Sequence, residues 1–221
     1  MSIAENIRTV TRSLEGTGCR LIAVTKTKPV EMLLEAYHAG CKTFGENRVQ
    51  EMVEKYERLP KDVAWHLIGH LQTNKVKYAA PFVSLVHSVD SFKLLQEIDR
   101  QAARHGRVIE CLLQIYIARE ETKFGLSFDE ARELLASPET AALANVRLVG
   151  LMGMATFTDD RDQIRAEFRS LKQFFDALKK GSLPANADMR ELSMGMSGDY
   201  DIAVEEGSTL IRVGSALFGG R

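Results

Sequence analysis

Lys26 follows an apolar run, Arg20–Thr25 (RLIAVT), and opens the segment Lys26-Thr27-Lys28-Pro29. A lysine at the end of a buried strand either snorkels to solvent or gives up its charge, and a desolvated amine is a competent nucleophile. Such a group forms a Schiff base with an aldehyde cofactor. The same residues also fit an ordinary solvated loop lysine, with Lys28 two positions on. Two turns rich in glycine and serine come late in the chain, Ser193-Met194-Gly195-Met196-Ser197-Gly198-Asp199 and Arg212-Val213-Gly214-Ser215. Each precedes a helical or turn segment, where backbone N–H groups and the hydroxyls of Ser197 and Ser215 suit a phosphate. Taken singly, either is equally a tight turn.

Arg212 sits near the end of the apolar run Thr209–Val213, where a charge needs a partner. One partner would be a carboxylate such as Glu46. Another, given a Schiff-base lysine and a phosphate cradle, is the ring nitrogen of pyridoxal phosphate (PLP). An arginine there does not readily give up a proton, so the pyridine nitrogen stays unprotonated and the ring is a poorer electron sink. His66 and His70 straddle a strand end around Gly69, with no H-E-x-x-H and no adjacent acidic ligand, so no metal site is expected. Gln72, Asn74 and Lys75 read as hydrogen-bonding groups at a helix start. His87 and Lys123 read as strand-end residues that either line a mouth or are solvated.

These residues share one kind of place: the C-terminal end of a strand. Strand-like runs fall at Arg20–Thr25, Thr43–Phe44, Ala64–Ile68, Phe82–His87, Val108–Ile117, Val146–Met154, Arg190–Ser193 and Thr209–Val213. Several are continuous and rich in Val, Ile and Leu, as parallel strands covered on both faces are. Helical patterns lie between them, including one from Pro29 to Gly40, then Glu46–Arg58, Asn74–Ala79, Ser91–His105, Ser127–Leu135, Asp160–Lys180 and Asp199–Glu206. One more helix precedes the first strand. Dividing 221 residues among eight such units leaves about 28 each, near what a compact barrel uses. The predicted fold is a single (β/α)8 TIM-type barrel, α/β in class, with an extra N-terminal helix, spanning 1–221 as one domain. An open doubly wound sheet is disfavoured, since no G-x-G-x-x-G follows the first strand.

Composition excludes several classes. Lys plus Arg number 29 and Asp plus Glu 30, a net charge of −1, which leaves no electrostatic footprint for nucleic acid or an anionic membrane. No stretch approaches about 18 apolar residues, and the N-terminus lacks the apolar core of a signal peptide. Three cysteines, Cys19, Cys41 and Cys111, are odd in number and widely spaced. That pattern argues for reduced thiols and a cytoplasmic location.

Eight ordered motifs then carry a resemblance. AVTKTKP (23–29), FGENRVQE (44–51), WHLIGHLQTNK (65–75), HSVDS (87–91), KFG (123–125), GLMGMA (150–155), LSMGMSGD (192–199) and GSTLIRVGSALFG (207–219) span essentially the whole chain. The chain resembles the pyridoxal phosphate homeostasis family, whose fold is similar to the N-terminal barrel of alanine racemase. The resemblance implies Lys26 as the lysine of an internal aldimine with PLP, Arg212 as the partner of the pyridine nitrogen, and Ser197, Gly214 and Ser215 as phosphate contacts. It also implies Asn47 and the stretch from Ser193 to Met196 as further cofactor neighbours. The short tail after Gly219 is expected to touch nothing in the site.

The function implied is a PLP-binding protein without turnover, acting in vitamin B6 and amino-acid homeostasis, as a monomer or weak dimer. PLP-requiring apo-enzymes would be its recipients. The alternative is a PLP-dependent amino-acid enzyme such as a racemase. Two-sided racemisation needs a second acid/base group, which alanine racemases take from an additional domain of the partner subunit. Eight strand–helix units use nearly all of the 221 residues, so a binder is expected. Lys28, Lys75 and Lys123 are expected to draw the phosphate toward the mouth.

Overall fold

Short aliphatic runs alternating with amphipathic segments produce strands shielded on both faces by helices and by one another. The computed structural model describes residues 2–119 and 125–220, so Lys123 lies outside the described residues. Helix α1 (Ile3–Ser13) leads into β1 (Arg20–Val24), α2 (Val30–His38), β2 (Thr43–Glu46), α3 (Val49–Arg58) and β3 (Ala64–Leu67). A 3-10 turn (Thr73–Lys75) runs into α4 (Val76–Ala79), followed by β4 (Leu85–Val89), α5 (Phe92–Arg104) and β5 (Ile109–Tyr116). Helices α6 (Phe128–Ala136) and α7 (Pro138–Ala141) precede β6 (Val146–Met154), α8 (Arg161–Lys180) and β7 (Ala187–Ser193). The chain ends with α9 (Tyr200–Glu205), β8 (Leu210–Val213) and α10 (Ser215–Phe218).

Every strand pairs in parallel with its neighbour in sequence, and β8 pairs with β1, so the sheet closes into an eight-stranded barrel. This is the (β/α)8 TIM-type fold expected, with α1 as the extra N-terminal helix. A capping box between Ser2 and Glu5 starts α1. The Asn6 amide then donates to the Leu217 carbonyl (2.9 Å), tying α1 to α10.

Two apolar layers result. Trp65, Phe44, Met52, Leu95 and Phe168 belong to the large layer between strands and helices. A smaller cluster, including Ile22, Leu85, Leu112, Val149 and Leu210, fills the barrel interior. Side chains alternate along a strand, so Arg212, two residues after Leu210, and His87, two after Leu85, face the same interior. Polar groups therefore sit just above the apolar interior, toward the C-terminal mouth.

Three local expectations are corrected. Strand β4 runs Leu85–Val89 rather than Phe82–His87, because Phe82 stacks on Tyr56 (ring centroids 3.9 Å apart) and Val83 N–H still bonds to the Ala79 carbonyl. His87 is consequently not a strand-end residue; it is fully buried inside the barrel. Strand β2 continues through Glu46, and α3 begins only at Val49.

Candidate functional site

The turn after β1 places Lys26. Thr25 is the last buried residue and Lys26 itself is exposed, so the lysine reaches the mouth rather than being desolvated in the strand. Thr27 adopts a left-handed backbone (φ 63°), and Lys28 N–H closes the turn on the Thr25 carbonyl at 3.0 Å. The turn is held from behind, on the helix side of the sheet. Lys55 Nζ, from α3, donates to the Thr25 carbonyl (2.7 Å), Glu46 Oε1 (2.6 Å) and Glu51 Oε1 (2.7 Å). The Thr25 hydroxyl donates to Glu46 Oε1 (2.5 Å), and Thr27 N–H donates to Glu51 Oε1 (2.6 Å). Burial raises the Glu46 carboxyl above its usual range, and Lys55 and Thr25 act against that. Glu46 is thus committed to Lys55; it is not the partner of Arg212.

Arg212, 4% exposed, is held instead by uncharged groups. Its Nη1 donates to the Ser193 hydroxyl and its Nη2 to the Gly153 carbonyl (3.0 Å). Ser193 in turn meets His87 Nδ1 (3.0 Å), and His87 Nε2 meets His66 Nδ1 (3.1 Å). Burial pushes the guanidinium down to about 10, with Asp199 acting against it, so Arg212 is charged at neutral pH. His66 faces into the barrel, whereas His70 is exposed and lies 3.7 Å from Asp90. The two do not converge, and among the described residues no group of His, Cys, Asp and Glu gathers as metal ligands.

The third component is the pair of turns after β7 and β8. Gly195 has φ +86°, and a Cβ there would lie 2.6 Å from Ala203 Cβ, so only glycine lets the turn lie this tightly on α9. Met196 N–H donates to Asp199 Oδ1 (2.6 Å), which fixes the loop. Burial raises the Asp199 carboxyl, opposed by that N–H and by the charge on Arg212. Ser197 Oγ accepts N–H bonds from Gly214 (3.2 Å) and Ala216 (3.4 Å). These two bonds tie the turn after β7 to the turn after β8 and bring the Ser197 and Ser215 hydroxyls to one wall.

A cavity of about 540 Å³ opens between these three components at the C-terminal ends of the strands, where barrels place their functional groups. Lys26, Asn47, Met196, Ser197, Arg212, Gly214 and Ser215 all line it. Ser193 does not; it lies beneath Arg212. A Cβ at Gly69 would fall 2.4 Å from the Asn47 carbonyl oxygen, so the bare backbone of Gly69 is what seats Asn47 at the wall. Lys28 also lines the cavity, but its Nζ bonds to the carbonyls of Gly219 (3.0 Å) and Gly220 (2.9 Å). Those two glycines line the cavity as well, which corrects the expectation that the tail touches nothing there. Lys75 instead lies over the Tyr78 ring (5.9 Å).

Sequence reasoning placed Asp199 in a strand-end turn but gave it no role, and it did not find the wall from Phe157 to Asp159 or the chain through His87 and His66. A polar residue inside an otherwise apolar strand, as in Leu85–Val89 (LVHSV), was the available signal for that chain.

Comparison with known proteins places the chain among its relatives. The family model for the alanine racemase N-terminal domain matches residues 1–221. The pyridoxal phosphate homeostasis protein of Aquifex aeolicus is 41% identical over 212 residues, covering 95% of this chain and 91% of that protein. The chain belongs to the pyridoxal phosphate homeostasis family. The human member is 40% identical over 221 residues, covering 95% of this chain and 79% of that protein. The solved structure of PipY from Synechococcus elongatus, with PLP bound, superposes with a TM-score of 0.88 at 37% identity, covering 99% of this chain and 100% of that one. No helix among the described residues is long and apolar enough to cross a membrane.

Proposed function

We propose that this protein binds PLP in the cavity between β1, β7 and β8, holds it covalently through Lys26, and serves vitamin B6 and amino-acid homeostasis without turning over a substrate. The observation that carries this reading is the convergence on one cavity of an accessible primary amine, a buried guanidinium, and two serine hydroxyls beside the backbone of Gly214. Those groups match three of the polar groups of PLP: the aldehyde, the ring nitrogen and the phosphate. The volume of about 540 Å³ is that of a small-molecule pocket. The PLP bound by PipY, a relative of the same length and fold, supports the same ligand here.

When bound, PLP supplies an aldehyde carbon and an electron-withdrawing ring. Lys26 Nζ, exposed at the cavity wall, would hold the cofactor through that carbon at the mouth. Ser197 and Ser215 would hold the phosphate with their hydroxyls, beside the bare backbone of Gly214. Arg212, a donor-only group lining the cavity, would face the ring nitrogen and leave it unprotonated, which would make the ring a poorer electron sink. Asn47 and Met196 line the same cavity and would be further neighbours of the cofactor. The titratable lining groups among the described residues are Lys26, Lys28, Asp159, Asp199 and Arg212. Asp199 is engaged by Met196 N–H and Lys28 by the C-terminal carbonyls. This arrangement supports a carrier that passes PLP to apo-enzymes in the cytoplasm.

The test is a visible spectrum of the purified protein with PLP, before and after borohydride, with mass mapping of the reduced lysine. Trapping at Lys26, lost in Lys26→Ala with no change in the melting temperature, is the expected result. Covalent retention in Lys26→Ala would overturn the tether. Exchange of an amino-acid Cα proton faster than ~1 s⁻¹, the range of ordinary enzymes, would overturn the absence of turnover.

A further inference from the structure

Four polar side chains from β3, β4, β7 and β8 cross the barrel interior as one hydrogen-bonded line: Arg212, Ser193, His87 and His66. Their exposures are 4, 0, 0 and 9%, so each polar atom depends on its neighbour. The direction of the line follows from its end. A guanidinium has donors only, so Ser193 Oγ accepts from Arg212. The serine hydroxyl hydrogen then has one recorded acceptor among the described residues, His87 Nδ1. Were Nδ1 protonated instead, that hydrogen would be buried without a partner, at a real cost. Neutral His87 therefore carries its proton on Nε2 and donates to His66 Nδ1, which leaves the His66 proton on Nε2 as well. Burial supports the neutral state of both rings, pushing His66 down to about 3 and His87 well below the usual value.

We propose that Ser193 and His87 are positioning residues for Arg212: this one-way line, with the Gly153 carbonyl on the other guanidinium nitrogen, fixes the plane and charge of Arg212 toward the cavity. The proposal rests on the reading of Arg212 as the ring-nitrogen partner. It assigns to Ser193 a role through Arg212 rather than contact with the cofactor. A neutral support has a chemical consequence. A carboxylate in the place of Ser193 would draw the guanidinium's charge to itself, whereas a hydroxyl leaves that charge directed at the cavity.

Two measurements test it. In the intact protein without PLP, ¹⁵N-histidine NMR should show His66 and His87 as neutral Nε2–H tautomers, and Ser193→Ala should remove the shift of His87 Nδ1 that marks an accepted hydrogen bond. With PLP, Ser193→Ala and His87→Leu should bind about tenfold more weakly and change the pH dependence of the bound cofactor's absorbance, while Ser193→Thr, which keeps the hydroxyl, restores both. An Nδ1–H tautomer at His87 in the unaltered protein overturns the proposal, as does unchanged affinity and absorbance in both truncations. Should the unaltered protein yield no borohydride-trapped lysine, the tether fails while the tautomers still decide the line. If a truncation does not fold, the unaltered protein and Ser193→Thr carry the same test.

Discussion

Lys26 and Arg212 address one cavity from two differently built supports. The Lys26 turn is braced from outside the barrel by charges, with Lys55 Nζ shared between Glu46 and Glu51. Arg212 is braced from inside the barrel by a hydroxyl, a carbonyl and two neutral rings. The difference follows from strand alternation. Thr25 and Glu46 face the helices, where α3 brings a lysine, whereas Ser193, His87 and Arg212 face an interior that no helix reaches. A charged brace can hold a turn whose own functional amine points away from it. A neutral brace suits a cation whose charge is the functional property.

Removing the outer brace should have the larger effect on stability. Glu46 is fully buried and Lys55 is 5% exposed, and breaking a buried pair from one side costs about 3–5 kcal/mol. Lys55→Met should therefore lower the urea midpoint strongly and reduce borohydride-trapped PLP at Lys26. Adding Glu46→Gln should recover part of the stability, because no unpaired carboxylate is then left. A loss under about 1 kcal/mol, typical of exposed pairs, would show that water replaces Lys55 and that the two supports do not differ in kind.

Neither support was visible from residue order, although the barrel largely was. Strand β6 (Val146–Met154) was legible to the residue, being long and largely apolar, and α8 was legible from its amphipathic length and the Asp160 cap. Strand β2 was cut short because a glutamate reads as a strand end; only the pairing with Lys55, nine residues on, makes Glu46 a buried strand residue. Helices α7 and α10 have four residues each, too few to show a period. Seven of the eight anticipated site residues line the cavity, since strand-end position is a local property. Ser193 lies beneath it, because contact across the barrel, as between Ser193 and His87 (|i−j| of 106), has no local signature.

The two supports should respond to acid in opposite senses. His66 and His87 are depressed in the folded state, so between the ordinary value near 6.5 and about 3 the unfolded chain binds more protons. Stability is then present above about pH 6.5 and lost as pH falls, by roughly 2 kcal/mol at pH 5 for His66 alone. Glu46 is raised, so above its ordinary value of 4.5 the folded chain binds more protons and gains stability as pH falls through the raised value. Urea titrations across this range should show His66→Asn flattening the acid loss and Glu46→Gln steepening it. Equal slopes in the two variants would erase the contrast.

The smallest effect belongs to Thr27, the one non-glycine residue with positive φ among those described (63°). A β-branched residue in that region is strained by about 1 kcal/mol or more, and Thr27 tolerates it because its N–H bonds to Glu51 Oε1 at 2.6 Å. Thr27→Gly relieves the strain but adds about 0.5–1 kcal/mol of unfolded-state entropy. Net stability should move by under ~1 kcal/mol in a urea titration. The bracing bond is made by the backbone, so it survives the substitution and PLP should still be trapped at Lys26. Thr27→Gly that keeps its stability yet loses trapping would show that the side chain itself orients Lys26. The outer brace would then need the strained residue to complete it, whereas the inner one is complete in its hydrogen bonds.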